Sequence, residues 1–312
     1  METDVVLAAL NDKHKFNSHQ VVELFEKADN KRPLGEIELE VFKDFVKGES
    51  LKNDDNSKAG DVLETLENSD LDFYREYLSE LKNKGLGYVS IFGEEYPSRL
   101  RNIEKPPLIL YYNGDLSSWK EGIAVVGTRD VYEHRVDFVE EIGGKLVNMG
   151  KTVVSGLANG VDEAAHKSTL EAEGKTIAVL PGHIEKVYPK SNKEIGEQIP
   201  ENGALVSEVS KKVRINRGRF VERNRITSGL TTAVIIGASG ETGGTIHQAK
   251  FAQSQNLPIL LYDPEEDDGQ SPEKLKEMGA KTFSNLNELE ELVNSLHETN
   301  HAGKNYSLQE YS

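Results

Sequence analysis

Apolar residues recur at three- and four-residue spacing through the first 85 positions, in VVLAALNDKHKFNSHQVVELFEKA, EVFKDFVKG and VLETLENSDLDFYREYLSELKNKG. That is the period of a helix face. LKNDDNSKAGD breaks the pattern as a polar turn, and Gly85 stands where the last helix would stop. No strand pattern occurs here, so residues 1–87 are expected to form a small all-helical domain.

From Tyr88 the period changes. GYVSIFG and PPLILYYNGD read as strands, the second closed by a turn at Asn113-Gly114. Three apolar runs follow, Ile123 to Val126, Thr152 to Val154 and Ile177 to Leu180, each ending in a glycine-bearing turn before an amphipathic stretch. Helices are predicted over Val136–Met149, Val161–Glu173 and Lys193–Ile199. ALVSE, TTAVIIGAS and LPILLYD add strands, GGTIHQAKFAQSQ opens a helix on glycines, EEDDGQSPEKLKEMG is an acidic loop into a helix, and LNELEELVNSLHE is a last helix. Strands alternating with helices imply an α/β fold, with a mainly parallel sheet covered on both faces, over residues 88–297. Residues 298–312 read as a disordered polar tail.

Composition narrows the function. No apolar run approaches the roughly 20 residues that span a bilayer, METDVVLAALNDKHK has no secretory pattern, and the chain has no cysteine. A cytoplasmic protein without disulfides, thiolate metal sites or membrane contact is expected. The net charge of −16 opposes nonspecific attraction to nucleic acid. The charge is uneven, however: between Lys211 and Arg225 seven bases, including Arg217 and Arg219, face one acid, Glu222. Such a patch suits a confined anionic ligand; the alternative is a solvated basic loop.

The candidate chemistry lies at strand ends, where ligands of such sheets bind. In Gly127-Thr128-Arg129, glycine permits close backbone approach, threonine offers a hydroxyl and arginine can clamp a phosphate; a tight turn with a surface arginine is the alternative. In Ser155-Gly156-Leu-Ala-Asn-Gly160-Val-Asp162, two glycines bracket a turn whose N–H groups can face an anion. Asp162 and His166 lie one helical turn apart, which suggests a structural contact, since no third metal ligand has convincing spacing. Phe220-Val-Glu-Arg223-Asn224-Arg225 sets arginines for phosphate beside a ring that could stack on an unpaired base or belong to the core. Gly243-Gly244-Thr245 opens a helix and suits an anion. Neither G-x-G-x-x-G nor G-x-x-x-x-G-K-[ST] is present, which disfavours an NAD enzyme or a P-loop ATPase.

Taken in order, these segments resemble the DNA-processing protein A family, also called Smf. The resemblance rests on Tyr96-Pro97-Ser-Arg-Leu100, Pro106-Pro107, LILYYNG, Val126-Gly127-Thr128-Arg129, the segment from Ser155 to His166, TIAVL with Tyr188-Pro189-Lys-Ser-Asn192, Ser207-Glu208, and Phe220 to Ile226. It covers roughly residues 88 to 262. It implies an extended Rossmann-like domain that binds single-stranded DNA, with Arg129, Ser155, Gly156, Phe220, Arg223, Asn224 and Arg225 lining the pocket. It further implies a homodimeric recombination mediator that protects strands and loads a RecA-type recombinase, in DNA uptake by natural transformation or in a phage or defence setting, without enzymatic activity or cofactor. Departures from the family pattern are VSKKVRINRGR after Ser207-Glu208, the glycine-rich SGETGGTIHQA, and a short polar tail where a winged helix is common.

A second reading is a nucleotide sensor or nucleotide-processing protein on the same scaffold. LOG phosphoribohydrolases resemble this chain at the Gly-Gly-Thr element, but Thr245 is followed here by Ile246-His247-Gln248, without the catalytic glutamate. A third is a scaffold whose acidic helices recruit a protein.

Overall fold

The computed structural model describes residues 2–13, 17–28, 38–52, 57–266 and 268–302. Helices α1 (Glu2–Lys13), α2 (Ser18–Ala28), α3 (Leu39–Lys52), α4 (Ser57–Glu67) and α5 (Leu71–Asn83) come first. The middle of the polar turn expected over 51–61 lies outside the described residues, and α4 already begins at Ser57.

Strand β1 (Gly87–Ser90) follows, then the single turn α6 (Ser98–Arg101) and β2 (Ile109–Gly114). The alternating core is β3 (Gly122–Gly127), α7 (Glu133–Asn148), β4 (Thr152–Ser155), α8 (Val161–Glu171), β5 (Thr176–Val179), α9 (Lys193–Gln198) and β6 (Gly203–Ser207). It continues with α10 (Arg217–Gly229), β7 (Val234–Ala238), α11 (Gly244–Ser254), β8 (Ile259–Tyr262), α12 (Glu273–Glu277), β9 (Lys281–Phe283) and α13 (Leu286–Ala302). Part of the expected tail thus continues a helix, and residues 303–312 lie outside the described residues.

One nine-stranded sheet runs β1-β2-β6-β5-β4-β3-β7-β8-β9. From β6 to β9 every pairing is parallel; β1 and β2 add an antiparallel edge. The fold is α/β and Rossmann-like, as expected. Along β3, Ile123 and Val125 pack with Val139, Ile142 and Leu146 of α7 on one face. Ala124 and Val126 pack with Ile246, Ala249 and Ala252 of α11 on the other. Alternate residues reach opposite faces, and both are covered, hence a strand apolar at successive positions.

The N-terminal helices share their cores with this sheet. Val5 to Leu10 are all buried, so α1 is apolar around its circumference, the mark of an internal helix. Val6, Leu7 and Leu10 join Phe25, Phe42 and Val62 in a cluster that includes Leu110, Val154 and Val206 of the sheet. Val5, Ala8 and Ala9 join Tyr77, Leu78 and Leu81 in another with Ile109, Tyr111 and Leu205.

Polar bonds fix the docking. Asn11 accepts the Leu108 N–H at 2.8 Å and donates to the Glu208 carbonyl. Asp12 accepts the Ser210 N–H and the Tyr74 hydroxyl, each at 3.0 Å. Since a buried backbone group left without a partner costs about 1–3 kcal/mol, Asn11→Ala is expected to destabilise the whole protein by at least that much. Equilibrium urea unfolding checks this; an unchanged midpoint would show that the Asn11 bonds contribute nothing net.

Candidate functional site

The connections from β3 and β7 leave the sheet in opposite directions, so their carboxyl ends open a crevice, the usual ligand position in this topology. Two turns meet there, and close packing explains their glycines. A Cβ on Gly127 would stand 2.5 Å from Cγ2 of Val161, and one on Gly160 would stand 2.7 Å from the Thr128 carbonyl. Gly160 also has a φ of 85°, where a side chain is strained. The result brings the first turn of α8 against Thr128 and Arg129.

Beneath the crevice lies a buried ion pair. Arg223 on α10 is 7% exposed and Asp162 on α8 is 6% exposed, with a guanidinium nitrogen 4.0 Å from the carboxylate. Burial raises the Asp162 carboxyl and lowers the Arg223 guanidinium, and each charge opposes the other's shift. Asp162 also accepts the Ala158 N–H at 3.3 Å, and Arg223 donates to the Thr227 hydroxyl at 3.4 Å. The Arg223 Nε–H is buried without a partner among the described residues. Gly156 makes room for the pair: a Cβ there would lie 2.2 Å from the Asp162 carboxylate and 2.3 Å from Arg223.

His166 braces the same turn. Its ring is fully buried, with Nε2 2.8 Å from the Gly156 carbonyl and Nδ1 2.7 Å from the Thr176 hydroxyl. Burial pushes its pKa down to about 4, so the ring is neutral, donates from Nε2 and accepts on Nδ1. The expected Asp162–His166 contact gives way to two separate partnerships, Asp162 with Arg223 and His166 with Gly156. Each satisfies a buried polar group more fully.

The crevice is lined by Gly127, Arg129, Phe220, Arg223, Asn224, Gly244 and Thr245, together with Asp162 and Gln248. Arg129 lies over the Phe220 ring, 5.3 Å from its centroid, and Tyr188 meets that ring edge-on at 5.6 Å. Gly243, with a φ of 111°, turns the chain into α11, and open space lies beside Gly243 and Gly244. The first N–H groups of this 11-residue helix are therefore close to the crevice. Asn224 donates to the Gly244 carbonyl at 3.3 Å, and Gln248 donates to the Asn224 carbonyl and the Ser228 hydroxyl. Gln248 is not among the site residues expected from the sequence, although it lies one helical turn past Gly244 on the side facing α10.

Other predicted residues lie elsewhere. Ser155 is fully buried below the crevice and donates to the Val125 carbonyl at 2.6 Å; the Thr128 hydroxyl accepts the Asp130 N–H. Arg225 points away from the crevice. It forms a bidentate pair with the buried Glu208 at 2.9 and 2.6 Å and donates to the Lys105 carbonyl. Arg219 pairs with Glu222 at 3.3 Å, while Arg217 is exposed at the start of α10. Lys211 pairs with Glu80 and Lys212 with Asp70, both acids of the α5 region. Part of the apparent basic patch is therefore neutralised by the acidic helices.

Residues 87–294 match the family described as DNA recombination-mediator protein A. This chain belongs to that family. It is 34% identical over 221 residues to protein Smf of Synechocystis, covering 69% of this chain and 56% of that protein. It is 30% identical over 213 residues to DNA processing protein DprA of Bacillus subtilis, covering 66% of this chain and 71% of that protein. The X-ray structure of Streptococcus pneumoniae DprA superposes with a TM-score of 0.74 at 26% identity, over 90% of this chain and 95% of that one. Helicobacter pylori DNA processing protein A, whose structure is described as showing a single-stranded DNA binding mode, gives a TM-score of 0.60 at 26% identity, over 68% and 96%.

The buried His166 has a consequence for pH. Its pKa falls from an ordinary 6.5 to about 4 on folding, so the unfolded chain binds the extra proton first. The His166 contribution is complete above pH 6.5 and is lost as pH falls toward 4, by about 1.4 kcal/mol per pH unit. Urea unfolding at pH 7.5 and pH 5 should show this slope in the wild type and a shallower one in His166→Gln. Equal slopes would mean that the ring is not held neutral.

Proposed function

We propose that this DprA-family protein binds single-stranded DNA in the crevice between the ends of β3 and β7 and acts as a recombination mediator. The observation that carries the reading is the convergence of Arg129, Arg223 and the α11 N-terminus beside the Phe220 ring. Two guanidiniums against the single Asp162 carboxylate leave net positive charge for a phosphate, and a partly exposed ring beside them suits an unpaired base. A narrow cationic crevice on a chain of net charge −16 favours a flexible single strand over an extended duplex contact. Strand protection, loading of a RecA-type recombinase, homodimer assembly, a cytoplasmic site and a role in DNA uptake or defence belong to the same proposal, on the strength of the family. The proposal is one of binding without catalysis: among the described lining residues Asp162 is the one carboxylate, and Arg223 and the Ala158 N–H hold it.

Fluorescence anisotropy of labelled oligo-dT, against duplex of equal length and across a salt series, tests this. Tight binding that prefers the single strand and weakens with salt is expected. Arg129→Ala should reduce the salt slope by about 0.7, and Phe220→Ala should weaken binding by about 1–3 kcal/mol. Absence of oligo-dT binding at low salt would overturn the reading and turn attention to a nucleotide-sized ligand.

A further inference from the structure

Tyr188 is one of the few large apolar side chains exposed among the described residues, at 42%. Its ring meets Phe220 at 67° between planes. Arg129 already covers part of Phe220, which makes Tyr188 the more accessible aromatic surface at this rim. The segment carrying it is held in place. The buried Asn192 donates to the Leu157 carbonyl at 3.1 Å, and the Ser191 hydroxyl donates to Asn159 at 2.8 Å. Both acceptors belong to the turn between β4 and α8 that frames the crevice. Lys186 and Lys190 flank Tyr188 at two residues on either side, both exposed and without an ion pair among the described residues. On the opposite rim, Gln270 donates to the Asp130 carbonyl at 2.7 Å, and Asp268, two residues before it, is paired with the buried Arg135.

We propose that Tyr188 is a second base-stacking platform, with Lys186 and Lys190 as phosphate contacts, and that the bound strand leaves the crevice across it. An unpaired base lies on the Tyr188 ring, sequence-tolerantly, since every base has a π-face. Phosphates on either side of that base meet the two ammonium groups. A tyrosine that only capped Phe220 would need neither this exposure nor the flanking cations. The inference rests on the reading of the crevice as a single-strand site.

The test uses the full chain and oligo-dT. Tyr188→Ala should weaken binding about 5- to 150-fold, the range of one lost base stack, while Tyr188→Phe, which keeps the ring, stays within about 2-fold of wild type. Lys186→Ala with Lys190→Ala should lower the salt slope by about 0.7 for each lost phosphate contact. Direct contact is read by Tyr188→Trp: oligo-dT should quench the introduced indole, whereas wild-type emission, from Trp119 alone, stays constant. Wild-type binding with an unaffected Tyr188→Ala, or with no quenching in Tyr188→Trp, would overturn this proposal and leave the single-strand reading standing. No wild-type binding would overturn both.

Discussion

Burial of the Arg223 guanidinium governs the architecture of the crevice. A charge removed from water must be compensated, and Asp162, 4.0 Å away, supplies the opposite charge. Bringing α8 and α10 that close leaves no space for a side chain at Gly156. The turn that results is held from behind by a neutral His166. The compensation is incomplete, because among the described residues one N–H of Arg223 has no partner and Arg129 adds a second cation. A pocket built this way holds two guanidiniums against one carboxylate.

The helix that delivers Arg223 and Phe220 is secured along its length. Arg225 is locked to Glu208 just beyond β6, Gln248 grips the Asn224 carbonyl, and Gln255 grips that of Arg225. Two elements picked out in the sequence as separate signals, Ser207-Glu208 and the Arg-Asn-Arg run, are thus halves of one structural joint. The side of α10 facing Glu208 sets its position, and the other side presents Phe220 and Arg223 to the crevice. Such division of labour fixes the crevice-lining side chains of α10 in advance.

Much of this was legible in the sequence. The apolar runs at Ile123, Thr152 and Ile177 announced a parallel sheet, and the glycine-bearing turns marked the end at which the crevice opens. Strand β9 escaped because Lys281-Thr282-Phe283 is a short edge strand with two exposed residues, too brief for a period to show. Arg223 and Arg225 were grouped by adjacency, although two residues on a helix differ by about 200° and cannot face one crevice. That separation is legible from helical geometry alone. The pairing of Lys211 and Lys212 with Glu80 and Asp70 is not, because it joins positions more than 130 apart in the chain. Ser155 resembles a phosphate ligand in sequence, yet its place in a central strand commits its hydroxyl to a neighbouring carbonyl.

The internal position of α1 has a bearing on modularity. A helix buried on every side cannot be exchanged like a cassette: each of its faces is complementary to a different surface, one formed by α2–α4 and the sheet, the other by α5 and the sheet. Divergence in the first 85 residues is therefore constrained from within, and a foreign helical module grafted ahead of β1 would strip apolar cover from β2 and β6. Whatever the acidic outer surface contacts, its inner surface is committed to strands on the far side of the sheet from β7.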